Sequence, residues 1–120
     1  MRILFDTNII LDVFLARQPF LENAAKLFAK VEQGRIEGIL GATTVTTLYY
    51  LISKQLGQKQ TKQVIETLLN LFKIGAVDHL VLRTSLSLDF QDYEDTVLYQ
   101  IAVLNQVQGI ILIHLFDSIL

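Results

Sequence analysis

Apolar and polar positions fall in blocks along the chain, and block length separates candidate strands from candidate helices. Arg2 to Phe5 form a short, mostly apolar run that ends at Asp6-Thr7-Asn8, residue types that turn or cap a chain. Apolar character resumes with Ile9, Ile10, Leu11, Val13 and Phe14. This reads as strand, turn and short helix. Pro19 sits where a helix can start, and Leu21, Ala24, Ala25, Leu27, Phe28 and Val31 recur at helical spacing until Gly34. Ile36 to Gly41 predicts a second strand. Thr43 and Thr44 suit a helix cap, and Val45, Leu48, Tyr49, Ile52 and Leu56 share one face of the helix that follows. Gly57 breaks that pattern. Val64, Ile65, Leu68, Leu69 and Phe72 then mark a further helix ended by Gly75, with Ala76 and Val77 as a strand. Residues 79–88 fit either period and are read as a short helix. Val97, Leu98, Ile101, Ala102, Leu104 and Asn105 define a helix up to Gly109, and Ile110 to Ile113 reads as a buried strand.

Short apolar strands alternating with amphipathic helices imply an α/β fold with a parallel sheet covered on both faces. At 120 residues, without internal repeat or linker, the chain is expected to form one domain over residues 1–120. Mean hydropathy is high at +0.44. The longest purely apolar runs, such as Leu48 to Ile52, still fall far short of the roughly 18 residues a membrane span needs. Asp6 and Asp12 interrupt any N-terminal export segment. The absence of cysteine excludes disulfides, thiol nucleophiles and thiolate metal sites, and fits a cytoplasmic protein. A metal here would sit on oxygen or histidine ligands.

A net charge of −2 argues against tight nucleic-acid binding through bulk electrostatics alone. Its distribution is more informative. Residues 1–83 carry all ten bases and seven acids; residues 84–120 carry five acids and no base. Four of those acids, Asp89, Asp92, Glu94 and Asp95, lie within seven residues at the start of the late helix. Capping and the helix dipole would account for one or two of them, and Asp92 with an acid three residues later resembles a capping box. Spacing i, i+3 also lets Asp92 and Asp95 face one cleft. So many carboxylates repel one another unless water or a cation screens them, and oxygen ligands favour Mg²⁺ or Mn²⁺ over zinc. Asp6, just past the first strand, occupies the edge where parallel sheets bind ligands, although on spacing alone Asp6 or Asn8 could equally be a helix cap.

Other signals are weaker. The sequence has no phosphate-cradling glycine loop, G-x-S-x-G elbow or H-E-x-x-H helix. His79 and His114 stand alone and read as structural or exposed. Tyr49 and Tyr50 read as core and rim rather than a base-stacking platform. Lys54, Lys59 and Lys62 flank Gly57 and could meet a phosphate backbone, though clusters of this size are most often simply solvated. A phosphotransfer domain, which also places an Asp after its first strand, would need a second acid where Asn8 stands and a late Lys, and no Lys follows Lys73.

Three segments resemble the PIN domain family: Ile3 to Asp12, Thr44 to Leu51, and Asp89 to Asp95 leading into the late helix. The resemblance implies a three-layer α/β/α sandwich with a central parallel sheet. It implies acids gathered at the carboxyl edge to bind Mg²⁺ or Mn²⁺ and cleave RNA. Small bacterial and archaeal members are often VapC-type toxins that dimerise and are blocked by a partner antitoxin. By resemblance Asp6, Asp92 and Asp95 are the catalytic, metal-binding acids, with Asn8, Thr47 and Asp117 as supporting residues and Lys54, Lys59 and Lys62 as candidate RNA contacts. The chain departs from the family in two places. Thr47 stands where a glutamate is usual. The usual Thr-Arg-Asn or Thr-Arg-Asp after the last strand is replaced within Leu112 to Ser118, so the final strand is expected to be missing. The expected function is a toxin ribonuclease with impaired hydrolysis of RNA phosphodiester bonds. The competing expectation is an inactive PIN-like module that binds a protein through its apolar tail.

Overall fold

A computed structural model describes residues 1–88, 92–107 and the backbone of 109–111. The element order is β1 (Arg2–Phe5), α1 (Thr7–Phe14), α2 (Leu21–Glu32), β2 (Glu37–Gly41), α3 (Ala42–Leu71), β3 (Lys73–Gly75), α4 (His79–Leu86), α5 (Tyr93–Leu104) and β4 (Gly109–Ile111). The four strands form one sheet in the order β3-β2-β1-β4, and every pair is parallel. The α/β, three-layer expectation therefore holds.

Side-chain alternation along the strands builds the layers, because successive residues point to opposite faces. Ile3 and Phe5 of β1 and Leu40 of β2 join a core with Ile9, Ile10 and Leu11 of α1, Ala24, Phe28 and Val31 of α2, and Leu48, Ile52 and Leu68 of α3. Leu4 and Ile39, one residue out of phase, join Val81 of α4 and Val97, Leu98, Ile101 and Ala102 of α5 on the other face. Among the described residues, no helix is long and apolar enough to cross a membrane.

The predicted break at Gly57 is real. That residue has φ 80° and ψ 168°, a backbone region open essentially to glycine, and it divides α3 into two helical halves. Thr61, fully buried beyond the kink, donates its hydroxyl to the Gly57 carbonyl at 2.6 Å. The kink lets Leu48 and Ile52 of one half and Leu68 of the other reach the same core.

Several predicted boundaries move. Pro19 precedes α2 rather than opening it. Thr43 and Thr44 lie inside the first turn of α3, whose N-cap is Gly41. The third strand is Lys73–Gly75 rather than Ala76 and Val77. The reason is Phe72, which leaves helical geometry at φ −111°, ψ 144° and packs edge-on against Phe5 at 5.4 Å and tilted against Phe28 at 5.9 Å. Burial of that ring fixes where the helix ends and the strand begins, and Phe72→Ala should cost about 3–5 kcal/mol. Gly75 ends the strand, not a helix, and a Cβ there would overlap Ile101 of α5, so the glycine permits close helix–sheet packing. The late strand is described over Gly109–Ile111; the expected loss of a final strand and the apolar tail lie outside the described residues.

Candidate functional site

The strand order creates a site before any side chain is considered. The chain runs outward from β1 through β2 to β3, then returns to place β4 on the other flank of β1. Helices α1, α2 and α3 cover one face and α4 and α5 the other. Parallel sheets bind ligands at such a reversal, beyond the carboxyl ends of the strands. A cavity of about 170 Å³ opens beyond the carboxyl ends of β1 and β2, lined by Asp6 and Thr7 after β1, Thr43, Thr44 and Thr47 after β2, Leu82 of α4, and Tyr93, Glu94, Asp95, Val97 and Leu98 of α5.

Each acid reaches this region for a different local reason. Asp6 holds the N-cap position of α1 with extended backbone, φ −77° and ψ 157°, yet its side chain makes no capping hydrogen bond. Oδ2 instead accepts from Nδ2 of Asn8 at 3.3 Å. Asp92 does cap α5: its Oδ1 accepts from the Glu94 amide at 2.8 Å. Its carbonyl also accepts from the Thr96 hydroxyl at 3.0 Å. Asp92 is absent from the cavity wall, whereas Glu94 and Asp95, in the first turn that Asp92 opens, line it. Tyr93 anchors that turn to α4 by donating its hydroxyl to the Leu82 carbonyl at 2.8 Å.

Of the sequence candidates, Asp6, Asp95 and Thr47 thus share one cavity, and Asn8 touches Asp6 from beside it. Lys54, Lys59 and Lys62 are exposed on α3 and do not line the cavity; the Lys54 ammonium sits 4.2 Å from the Tyr50 ring centre. Tyr50 is exposed and Tyr49 half-buried. His79 opens α4, exposed, with Nε2 accepting from Nε of Arg83 at 3.2 Å. Asp89, His114 and Asp117 lie outside the described residues. Glu94 is the residue that sequence reasoning passed over. The first-turn position of an acid after a capping Asp is the signal that could have found it, since N-cap side chains turn back to the helix while first-turn side chains project from it.

The electrostatics follow from this placement. Among the described residues three carboxylates line the cavity and no Lys or Arg does. The starts of α1, α3 and α5 meet there and offer roughly half a positive charge each, which leaves the cleft net negative. Among the described residues no three acids or histidines converge closely enough to cage an ion. Asp6 and Asp95 with neighbouring threonine hydroxyls still match the donor set that Mg²⁺ requires, one or two carboxylates and the rest water.

Comparison with known proteins agrees with the fold. The structure of VapC20 from Mycobacterium tuberculosis, a sarcin–ricin loop cleaving toxin, superposes with a TM-score of 0.74 at 11% identity, covering 97% of this chain and 93% of that one. VapBC2 from Rickettsia felis, solved bound to a DNA fragment from its promoter, gives a TM-score of 0.58 at 17% identity, covering 91% and 85%. No curated protein matches the sequence. The sequence profile of the PIN domain matches residues 2–111, nearly the whole chain, and the protein belongs to the PIN domain family.

Proposed function

We propose that this PIN domain is a metal-dependent ribonuclease, the toxin of a toxin–antitoxin pair, that hydrolyses RNA phosphodiester bonds. The observation that carries the reading is the Asp6 carboxylate, placed at a helix start without capping it and sharing a cavity with Asp95 and Glu94. A carboxylate that makes no capping hydrogen bond at a net-negative sheet edge is suited to a cation. The likeness to a toxin that cleaves the sarcin–ricin loop, and to a VapBC pair, supports RNA as substrate and an antitoxin as partner.

Asp6 and Asp95 would hold Mg²⁺ or Mn²⁺. A bound divalent ion supplies a water of lowered pKa and stabilises charge on the phosphoryl oxygens. The chain's own groups do the rest. The carboxylates offset the ion's charge, and the hydroxyls of Thr43 and Thr47 offer hydrogen bonds to water or phosphate oxygen at the cavity rim. Leu82, Val97 and Leu98 give the cavity an apolar side. Thr47 brings no negative charge, so the ion is held by fewer protein ligands and cleavage is expected to be slow.

The test is cleavage of a structured RNA with Mn²⁺ and with chelator, beside Asp6→Asn protein. Chelator-sensitive cleavage lost in Asp6→Asn supports the reading; equal cleavage by both proteins overturns it. A second reading, an inactive PIN module that binds a protein, draws on the lack of a three-ligand cage among the described residues. Calorimetry showing no Mn²⁺ binding at millimolar concentration would favour it.

A further inference from the structure

Asp6 is the end of a chain of polar groups that starts in the core. Asp12 lies one turn beyond Asn8 on α1 and is fully buried. Arg17, past the end of the helix, folds back on it: its backbone N–H donates to the Asp12 carbonyl at 3.1 Å. Its guanidinium then pairs with Asp12, Nε donating to Oδ1 at 2.8 Å and the Nη2 nitrogen lying 2.7 Å from the same oxygen as an ion pair. The same Nη2 donates to the Asn8 carbonyl at 3.1 Å and to Asn8 Oδ1 at 3.2 Å. Asn8 Nδ2 in turn donates to Asp6 Oδ2.

The chemistry of these groups allows one arrangement. A guanidinium only donates and an ionised carboxylate only accepts. Asn8 must therefore turn its oxygen to Arg17 and its NH₂ to Asp6, and its carboxamide cannot flip without facing donor to donor and acceptor to acceptor. Burying a charge such as Asp12 is weak support for stability when an apolar pair could fill the same space. Groups behind a metal ligand, by contrast, commonly set its orientation and affinity.

We propose that Arg17, anchored by the buried Asp12, is a positioning residue that fixes the Asn8 carboxamide and so holds the Asp6 carboxylate in one orientation at the cavity. The inference rests on reading Asp6 as a metal ligand, and its test separates the two claims. Mn²⁺ affinity is measured by calorimetry for the full chain, for Asn8→Leu and for the double variant Asp12→Leu/Arg17→Met. The double variant removes both partners of the ion pair so that no buried charge is stranded. Each should bind Mn²⁺ roughly 10- to 100-fold more weakly than the parent. Adding Asp12→Leu/Arg17→Met to Asn8→Leu should weaken binding no further, because the pair acts through Asn8. Parent affinity retained in the double variant overturns the relay and leaves the metal reading standing.

A metal-free arm decides the relay by itself. The side-chain amide of Asn8, assigned by its absence from Asn8→Leu, should be protected from exchange in the parent and lose that protection in Asp12→Leu/Arg17→Met. Unchanged protection overturns the relay. A parent that binds no Mn²⁺ defeats the metal reading, and the amide measurement still decides the relay.

Discussion

Helices α1 and α5 both begin with an aspartate in extended backbone, and the two aspartates do different things. Asp92 turns its carboxylate onto the Glu94 amide and completes the helix it opens, as Asp78 does for α4 by accepting from the Val81 amide at 2.9 Å. Asp6 stands in the same position of α1 and its side chain makes no capping bond. A cap of this kind is worth about 1 kcal/mol. Helix α1 does without one, and its Asp6 carboxylate lines a cavity together with Asp95, the arrangement on which the proposed metal site rests. Residue type and helix position alone therefore do not separate a capping carboxylate from one that lines the cavity; the direction of the side chain does.

The largest effect expected from this contrast is on chemistry. Asp6→Asn should lower Mn²⁺-dependent RNA cleavage by on the order of 100-fold or more, measured as initial rate on a defined hairpin. Asp95→Asn should weaken Mn²⁺ binding by roughly 10- to 100-fold in calorimetry, since it removes one of the two carboxylates proposed to hold the ion. The capping aspartates should invert this profile. Asp92→Ala and Asp78→Ala should each lower unfolding free energy by about 1 kcal/mol in urea titration, while Mn²⁺ affinity stays within about twofold of the parent. A tenfold loss of Mn²⁺ affinity in Asp92→Ala would place that residue in the site and erase the distinction. The smallest effect is expected for the stability of Asp6→Ala, within about 0.5 kcal/mol of the parent, because no capping bond is removed and a like charge leaves the cleft. A loss above about 1 kcal/mol would show that Asp6 serves the helix after all.

The candidate site was partly legible in the sequence. Asp6 could be singled out because an apolar strand ending in a polar residue marks a carboxyl edge, and Asp95 because it opens an amphipathic helix after a run without bases. The choice between Asp92 and Glu94 was not legible. Both lie near the same helix start, and the side chain that faces the cavity depends on which residue begins the helix, a boundary of one position. Arg17 was invisible for a different reason. Its role depends on the chain doubling back on α1 after Phe14, and nothing in the residue pattern announces that return.

Periodicity by itself determined the alternation of strand and helix, the kink at Gly57 and the coverage of the sheet on both faces, because these follow from local geometry and from which side chains must leave water. The tertiary structure alone decided where β3 begins, through the Phe72 ring locked between Phe5 and Phe28. It also decided which acids share the cavity at the carboxyl edge of the sheet and how Asp6 is oriented. Contacts between residues distant in sequence are set by packing and hydrogen-bond geometry in three dimensions, and those are properties of the folded arrangement rather than of any segment within it.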